Sequence, residues 1–81
     1  MLIDKDYMML RTIDSKCSPH INSEMEIIYV RHGRLEITYD DKKLTLTDNE
    51  AAIVLPYRLH CFEPSADADA LVYMFSYSIA E

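Results

Sequence analysis

Three side chains, two histidines and one glutamate, offer the clearest chemistry in this sequence. His20 and Glu26 belong to one segment of the chain, and His60 follows in another, just after Arg58. Imidazole nitrogens combined with a carboxylate oxygen suit divalent Fe, Mn or Zn. The same groups can also contact an organic molecule, with Arg58 either pairing with its anionic part or staying solvated, or they can be structural polar residues that hydrogen-bond inside the fold. The sequence leaves these alternatives open.

The spacing of residues around Glu26 indicates which side chains share a face. In an extended strand, side chains two positions apart point to the same side, so Asn22 and Glu26 should project with Ile28. His60 and Phe62 form a similar pair on a later segment. Polar groups at one end of an apolar cavity are typical of a small-molecule site. We therefore predict ligand contacts from the following residues: His20, Asn22, Glu26, Ile28, Arg58, His60 and Phe62.

Short runs of β-branched and aromatic residues, often alternating with polar ones, make up most of the chain and predict strands. Strands are expected near residues 7–13, 26–30, 34–39, 43–47, 51–55, 59–62 and 71–79. No convincing helical period interrupts them. Six or seven short strands at this spacing indicate one antiparallel sandwich or barrel. The continuous apolar run 51–55 further predicts a strand that is covered on both faces.

Aromatic side chains on the last predicted strand form a candidate contact between two copies of the chain. Tyr73, Phe75 and Tyr77 share one face, and aromatic residues are enriched in the cores of protein interfaces. We therefore expect a homodimer that buries this row of rings.

The order of these segments resembles the two sequence motifs of the cupin family. The first cupin motif has a His-x-His pair, then a Glu and a Gly, and at those positions this chain has His20, Asn22, Glu26 and Gly33. The second motif has a Gly-Asp turn, an apolar strand, a Pro and a His, and here stand Asn49, Glu50, the run 51–55, Pro56 and His60. The resemblance spans residues 18–78 and implies an all-β, jelly-roll fold over a single domain, residues 1–81.

Several details are more similar to one branch of the family, the N-terminal effector-binding domain of AraC-type transcription regulators. They are the spacing from Pro56 to His60, the run 26–30 and the pair Phe75-Ser76. This resemblance implies a sensor without enzyme activity, in which a small molecule such as a sugar enters the cavity and shifts the dimer arrangement. DNA would be contacted only through a C-terminal domain that this chain lacks, so the chain would be a fragment.

The departures from the family pattern bear on metal binding. Cupins that bind metal use two His and a Glu of the first motif and the His of the second, but here Asn22 replaces one His. An amide oxygen is a poorer ligand than imidazole for these metals, which favours a domain without a cofactor. His20, Glu26 and His60 would still make a facial set for Fe, Mn or Zn. The alternative function is therefore a metal-dependent cupin enzyme, an isomerase or a dioxygenase.

Charge and composition narrow the classes of partner. The 81 residues include 14 acidic and eight basic ones, for a net charge of −6. Because nucleic-acid binding depends on clustered Lys and Arg, this segment is not expected to contact DNA directly. No apolar run approaches the ~20 residues of a membrane span, and no secretory signal opens the sequence. We therefore expect a cytoplasmic protein in which Cys17 and Cys61 are free thiols.

Overall fold

The computed structural model consists of seven β-strands, which are connected by short turns except for the longer segment 14–24 between the first two. It describes the backbone of residues 2–21 and 23–80 and the side chains of residues 9–21 and 23–75. The strands are β1 Leu2–Ile13, β2 Met25–His32, β3 Leu35–Tyr39, β4 Lys42–Leu46, β5 Glu50–Val54, β6 His60–Pro64 and β7 Asp69–Ala80. The described residues form no helix that could cross a membrane. The all-β prediction is confirmed, and the first strand begins earlier than the sequence pattern indicates.

The strands form two antiparallel sheets that pack face to face. The first sheet has the strand order β1-β7-β2-β5, and the second has the order β4-β3-β6. Apolar side chains from the facing sides fill the space between them, including Ile28, Val30, Leu35, Ile37, Phe62 and Val72. This arrangement is the predicted jelly-roll sandwich. Any site between the two sheets must be built from side chains that point into this interior.

Strand β2 confirms the parity that places Glu26 inside. Glu26, Ile28 and Val30 are buried, whereas Ile27 and Tyr29 between them are exposed. The alternation follows from the pleat of the strand, which sends successive side chains to opposite faces. One polar residue thus enters the interior together with the aliphatic side chains of the same face.

The turn between β4 and β5 depends on Asn49, which has a backbone φ of 63°. Asn tolerates this left-handed conformation better than most residues, and the Tyr29 hydroxyl donates a hydrogen bond to Asn49 Oδ1 at 2.7 Å. Asn49 therefore replaces the glycine of the second cupin motif without loss of the turn.

Glu50 closes the same turn, and we predict that it makes stability depend on pH. The backbone N–H and the hydroxyl of Thr47 donate to Glu50 Oε1 at 2.7 and 2.8 Å, which holds the pKa of the Glu50 carboxyl below its usual range. A lowered folded-state pKa stabilises the fold above the unfolded-state pKa, and that stabilisation is lost as the pH falls through the folded-state pKa. Glu50→Gln should therefore lower the melting temperature modestly at pH 7 and much less near pH 3. Circular dichroism melts of both proteins at the two pH values test this, and an equal difference at both would contradict it.

The prediction that the run 51–55 is covered on both faces is wrong. Ile53 is 59% exposed and Leu55 is 45% exposed, and only Ala52 and Val54 turn towards the interior. The physical reason is that the described strands form only two layers, so the outer face of β5, like that of β2, has no third layer over it.

Two other expectations concern side chains away from the interior. Tyr73 and Phe75 are half-buried on the outer face of β7, with ring centroids 6.3 Å apart, while the side chain of Tyr77 lies outside the described part of the chain. The homodimer that this row of rings suggests remains a prediction. Cys17 and Cys61 are free cysteines, as expected.

Candidate metal centre

Two segments distant in sequence bring the two imidazoles together. His60 begins β6, and the stretch around His20 runs alongside it, with each backbone N–H donating to the other residue's carbonyl at 3.0 Å. Because paired residues of antiparallel strands project their side chains to the same face, the two rings become neighbours. Their centroids are 4.2 Å apart, with the ring planes inclined at 61°.

The third member of the cluster is Glu26, which approaches from the opposite sheet. Its Oε2 lies 2.6 Å from Nε2 of His60, and both side chains are almost completely buried, at 0% and 1% exposure. A buried charge is tolerated only with a partner, because transfer from water to an apolar interior is otherwise very costly. The two residues therefore form an ion pair across the interface between the sheets.

Backbone carbonyls hold both imidazoles in one orientation. Nδ1 of His60 lies 2.8 Å from the carbonyl oxygen of Arg58, and Nδ1 of His20 lies 3.0 Å from that of Ser18. A carbonyl can only accept a hydrogen bond, so each Nδ1 carries a proton and donates it. Nε2 is thus the candidate ligand atom of each ring, which is the arrangement that metal-binding histidines usually have. Nε2 of His60 already faces Glu26 Oε2, so a metal ion there would take the place of the proton between these two atoms.

Burial and hydrogen bonding act in opposite directions on the pKa of His60. Burial lowers it, while the hydrogen bond to Glu26, the contact with the Arg58 carbonyl and the charge of Glu26 raise it, and the net pKa is raised. The carboxylate therefore favours a positive charge at this position, whether that charge is a proton or a metal ion.

The cluster fits a divalent metal ion by the chemistry of its donors. One ligand atom from each of His20, Glu26 and His60 lies within 4.8 Å of the others. Two imidazoles and one carboxylate suit Fe, Mn or Zn, and three protein ligands leave coordination positions open for another molecule. We therefore treat these residues as a candidate metal centre.

Sequence comparison agrees with the architecture around this centre. The sequence profile of the cupin domain family matches residues 8–77. The chain belongs to the cupin domain family. Among proteins of curated function, none matches the sequence significantly.

Solved structures with the same fold include several other cupins. An RmlC-like cupin from Shewanella frigidimarina matches with a TM-score of 0.68 and 20% identity, covering 85% of this chain and 63% of its own. KdgF from a Halomonas species matches at 0.67 and 20%, covering 84% and 66%. A predicted oxalate decarboxylase from Thermotoga maritima matches at 0.69 and 14%, covering 89% and 67%. This cupin domain thus spans slightly less than two thirds of the first two, and the likeness at such identities concerns the fold alone.

The other predicted contact residues occupy different places around the candidate metal centre of this cupin domain. Ile28 and Phe62 are buried on the inner faces, and the Phe62 ring lies 5.5 Å from that of His60. Asn22 lies outside the described residues. The guanidinium group of Arg58 instead pairs with Asp40 at 3.1 Å on the exposed turn, so the contribution of Arg58 to the centre is its backbone carbonyl.

The sequence pattern predicts an inward position for Tyr39 but gives no role to Lys42, an exposed residue of β4 beside it. They flank the turn Asp40-Asp41 and pair across β3 and β4, and Tyr39 also pairs with His60 across β3 and β6. The signal was present in the sequence, since a two-residue turn places its flanking residues opposite each other. The apolar alternation at 35, 37 and 39 drew attention to the core and away from the lysine.

Proposed function

We propose that this cupin domain binds a divalent Fe, Mn or Zn ion at His20, Glu26 and His60 and is a metal-dependent enzyme acting on a small organic molecule. One observation carries the proposal. Both imidazoles donate Nδ1–H to a backbone carbonyl two residues upstream, which makes Nε2 the candidate ligand atom of each ring, and Nε2 of His60 faces the buried carboxylate of Glu26. A purely structural histidine pair does not require this matched orientation, whereas a metal site does.

Each residue has a separate task in the proposed centre. When bound, the ion would act as a Lewis acid that polarises an oxygen of the ligand. Glu26 supplies the negative charge that offsets the ion, and the Arg58 carbonyl fixes the orientation of the His60 ring. Phe62 and Ile28 are apolar and buried beside these groups, so they exclude water and strengthen the local electrostatics.

The second candidate is the effector-binding domain of an AraC-type regulator. Two observations favour it: Asn22 stands where metal-binding cupins have a second histidine, and Glu26 and His60 already neutralise each other at 2.6 Å. In that case a small molecule such as a sugar would contact the same polar residues, and binding would act through its unequal affinity for two dimer arrangements. DNA would then be contacted by a separate domain.

Metal content of protein purified without chelator tests the first candidate. We expect close to one equivalent of Fe, Mn or Zn per chain by inductively coupled plasma mass spectrometry. His20→Ala and Glu26→Gln should each weaken metal binding by at least about 100-fold. Removing a residue that only hydrogen-bonds to a metal ligand already weakens binding by up to about 100-fold, and loss of the ligand itself should cost more.

His32→Ala is the matched control for these variants. His32 is an exposed histidine near Asp48 and Asp67, so its replacement should leave the metal content unchanged. Wild-type protein that stays metal-free after incubation with each of the three metals would overturn the proposal. A rise in melting temperature of that metal-free protein with a neutral sugar would then support the sensor.

A further inference from the structure

A cavity of about 290 Å³ opens between β4 and β5, the strands that lie at the edges of the two sheets. Its walls are mostly apolar, with Ile37, Leu44, Ala52 and Val54 among the lining residues. The polar lining residues are Tyr39, Lys42 and Lys43, and the pairing of Lys43 with Thr38 sends the Lys43 side chain to the outer face of the sheet. The volume is near the lower end of that of small-molecule pockets, so a compact organic molecule fits.

Strand register places this cavity next to the candidate metal centre. Tyr39 is paired with His60 across β3 and β6, and Val54 is paired with Glu26 across β2 and β5. Directly paired residues of antiparallel strands share a face and lie about 5 Å apart. Two wall residues of the cavity are therefore nearest neighbours of two candidate metal ligands, one in each sheet.

Lys42 continues the same row of side chains to the edge of the second sheet. It is paired with Tyr39, so its side chain leaves the strand on the inner face, together with Tyr39 and His60. Neighbouring strands lie about 4.8 Å apart, which puts the Cα atoms of Lys42 and His60 roughly 10 Å from each other. Lys42, Tyr39 and His60 thus form one row across the three strands of the second sheet. The Lys42 ammonium group lies at the cavity end of this row, and the candidate metal ligand His60 lies at the other end.

The two adjacent lysines differ in their electrostatic surroundings. Lys43 lies within 3.4 Å of Glu36 on the outer face of the sheet. Among the ion pairs of residues 9–21 and 23–75, none includes Lys42. In a chain with a net charge of −6, an unneutralised lysine on the wall of an apolar cavity provides a specific attraction for an anion.

We propose that Lys42 binds the anionic group of a small organic ligand whose other end reaches the metal centre. The apolar walls between them cover the middle of the molecule, and the row of roughly 10 Å sets its length. The ligand is therefore a small organic acid or phosphate ester. This inference rests on the proposed function, because it takes His20, Glu26 and His60 as the site that receives the second end of the ligand.

Binding of anions and of a matched neutral compound tests the inference. Adipate, gluconate, glucose 6-phosphate and glucose are titrated by isothermal calorimetry into the metal-loaded 81-residue chain and into its Lys42→Gln and Lys43→Gln variants. At least one anion should bind wild type more tightly than glucose does. Its Kd should rise about tenfold or more in Lys42→Gln, since a charge-assisted contact is lost, and change less than twofold in Lys43→Gln. The preference between the carboxylates and the phosphate identifies the anionic group.

Metal content measured on the same samples separates this inference from the proposed function. All three proteins should hold the same amount of metal, because Lys42 is not a ligand. Three results would each overturn the role of Lys42. They are equal anion affinity in the two lysine variants, equal affinity of the wild-type chain for glucose and the anions, and no anion binding by the wild-type chain. A chain that binds no metal but still shows anion binding dependent on Lys42 would retain the anion site and refute the metal centre.

Discussion

Replacement of Glu26 alone by leucine should lower the free energy of unfolding of the chelator-treated protein by about 3–5 kcal/mol. The reason is that His60, which is 1% exposed and has its Nε2 at 2.6 Å from Glu26, would keep its polar atoms in an apolar interior without their carboxylate partner. Total stability of a chain this small is of order 5 kcal/mol, so this variant should be close to unfolding at room temperature. Urea denaturation followed by circular dichroism measures the difference.

The double variant makes the prediction specific. Replacing both members of a buried ion pair by apolar residues of similar volume is often neutral or stabilising, so Glu26→Leu combined with His60→Phe should recover most of the stability that the single variant loses. The exposed pair Glu36–Lys43, whose atoms are 3.4 Å apart, provides the control, because Glu36→Gln should change stability by less than about 1 kcal/mol. A double variant no more stable than Glu26→Leu would contradict this account.

Comparing the stability of the double variant with that of the wild-type protein also indicates why the chain contains the Glu26–His60 pair. If an apolar pair stabilises the domain as well as the Glu26–His60 pair does, then the polar residues contribute something other than stability. Binding of a cation or a polar ligand is the contribution that the proposed metal centre assigns to them, and the metal-content measurement tests it separately.

Gly33→Ala should destabilise the fold by about 2–4 kcal/mol. Gly33 has a backbone φ of +85°, and an added Cβ would lie 2.8 Å from the Cα and 3.1 Å from the backbone nitrogen of Ala68. The left-handed conformation alone costs an L-residue about 1–2 kcal/mol, and the overlap adds to it because both contacts are with backbone atoms. The turn also uses the Gly33 N–H, which donates to Asp48 Oδ1 at 2.9 Å.

A second substitution at this position separates the two causes. Asn adopts left-handed backbone conformations more readily than Ala but brings the same Cβ, so Gly33→Asn should be nearly as damaging if the overlap with Ala68 dominates. Urea denaturation of both variants provides the comparison. The free energy of unfolding of Gly33→Ala could instead lie within 0.5 kcal/mol of the wild-type value, which is roughly the effect of an ordinary surface substitution. That result would contradict the prediction and show that the loop containing Ala68 moves aside at little energetic cost.

Local pattern predicted much of the fold because strands have a short period. The alternation in β2 was enough to place Glu26 inside with Ile28 and Val30, since the pleat alone decides which side chains share a face. It failed for the run 51–55, because an apolar run on a strand with one covered face looks the same in sequence as one on a strand covered on both faces. Exposure of Ile53 depends on how many layers pack together, which no local pattern contains.

Local residue patterns were enough to predict the all-β class, the inward parity of Glu26 and the turn at Asn49, because each depends on contacts or conformations within a few residues. The tertiary structure was needed to show that His20 pairs with His60, that Glu26 meets His60 from the other sheet, and that Lys42 lies in the same row. Those relations arise from strand pairing and sheet packing between distant segments. The residues of the candidate site could therefore be named from the sequence, while the orientation of their ligand atoms could not.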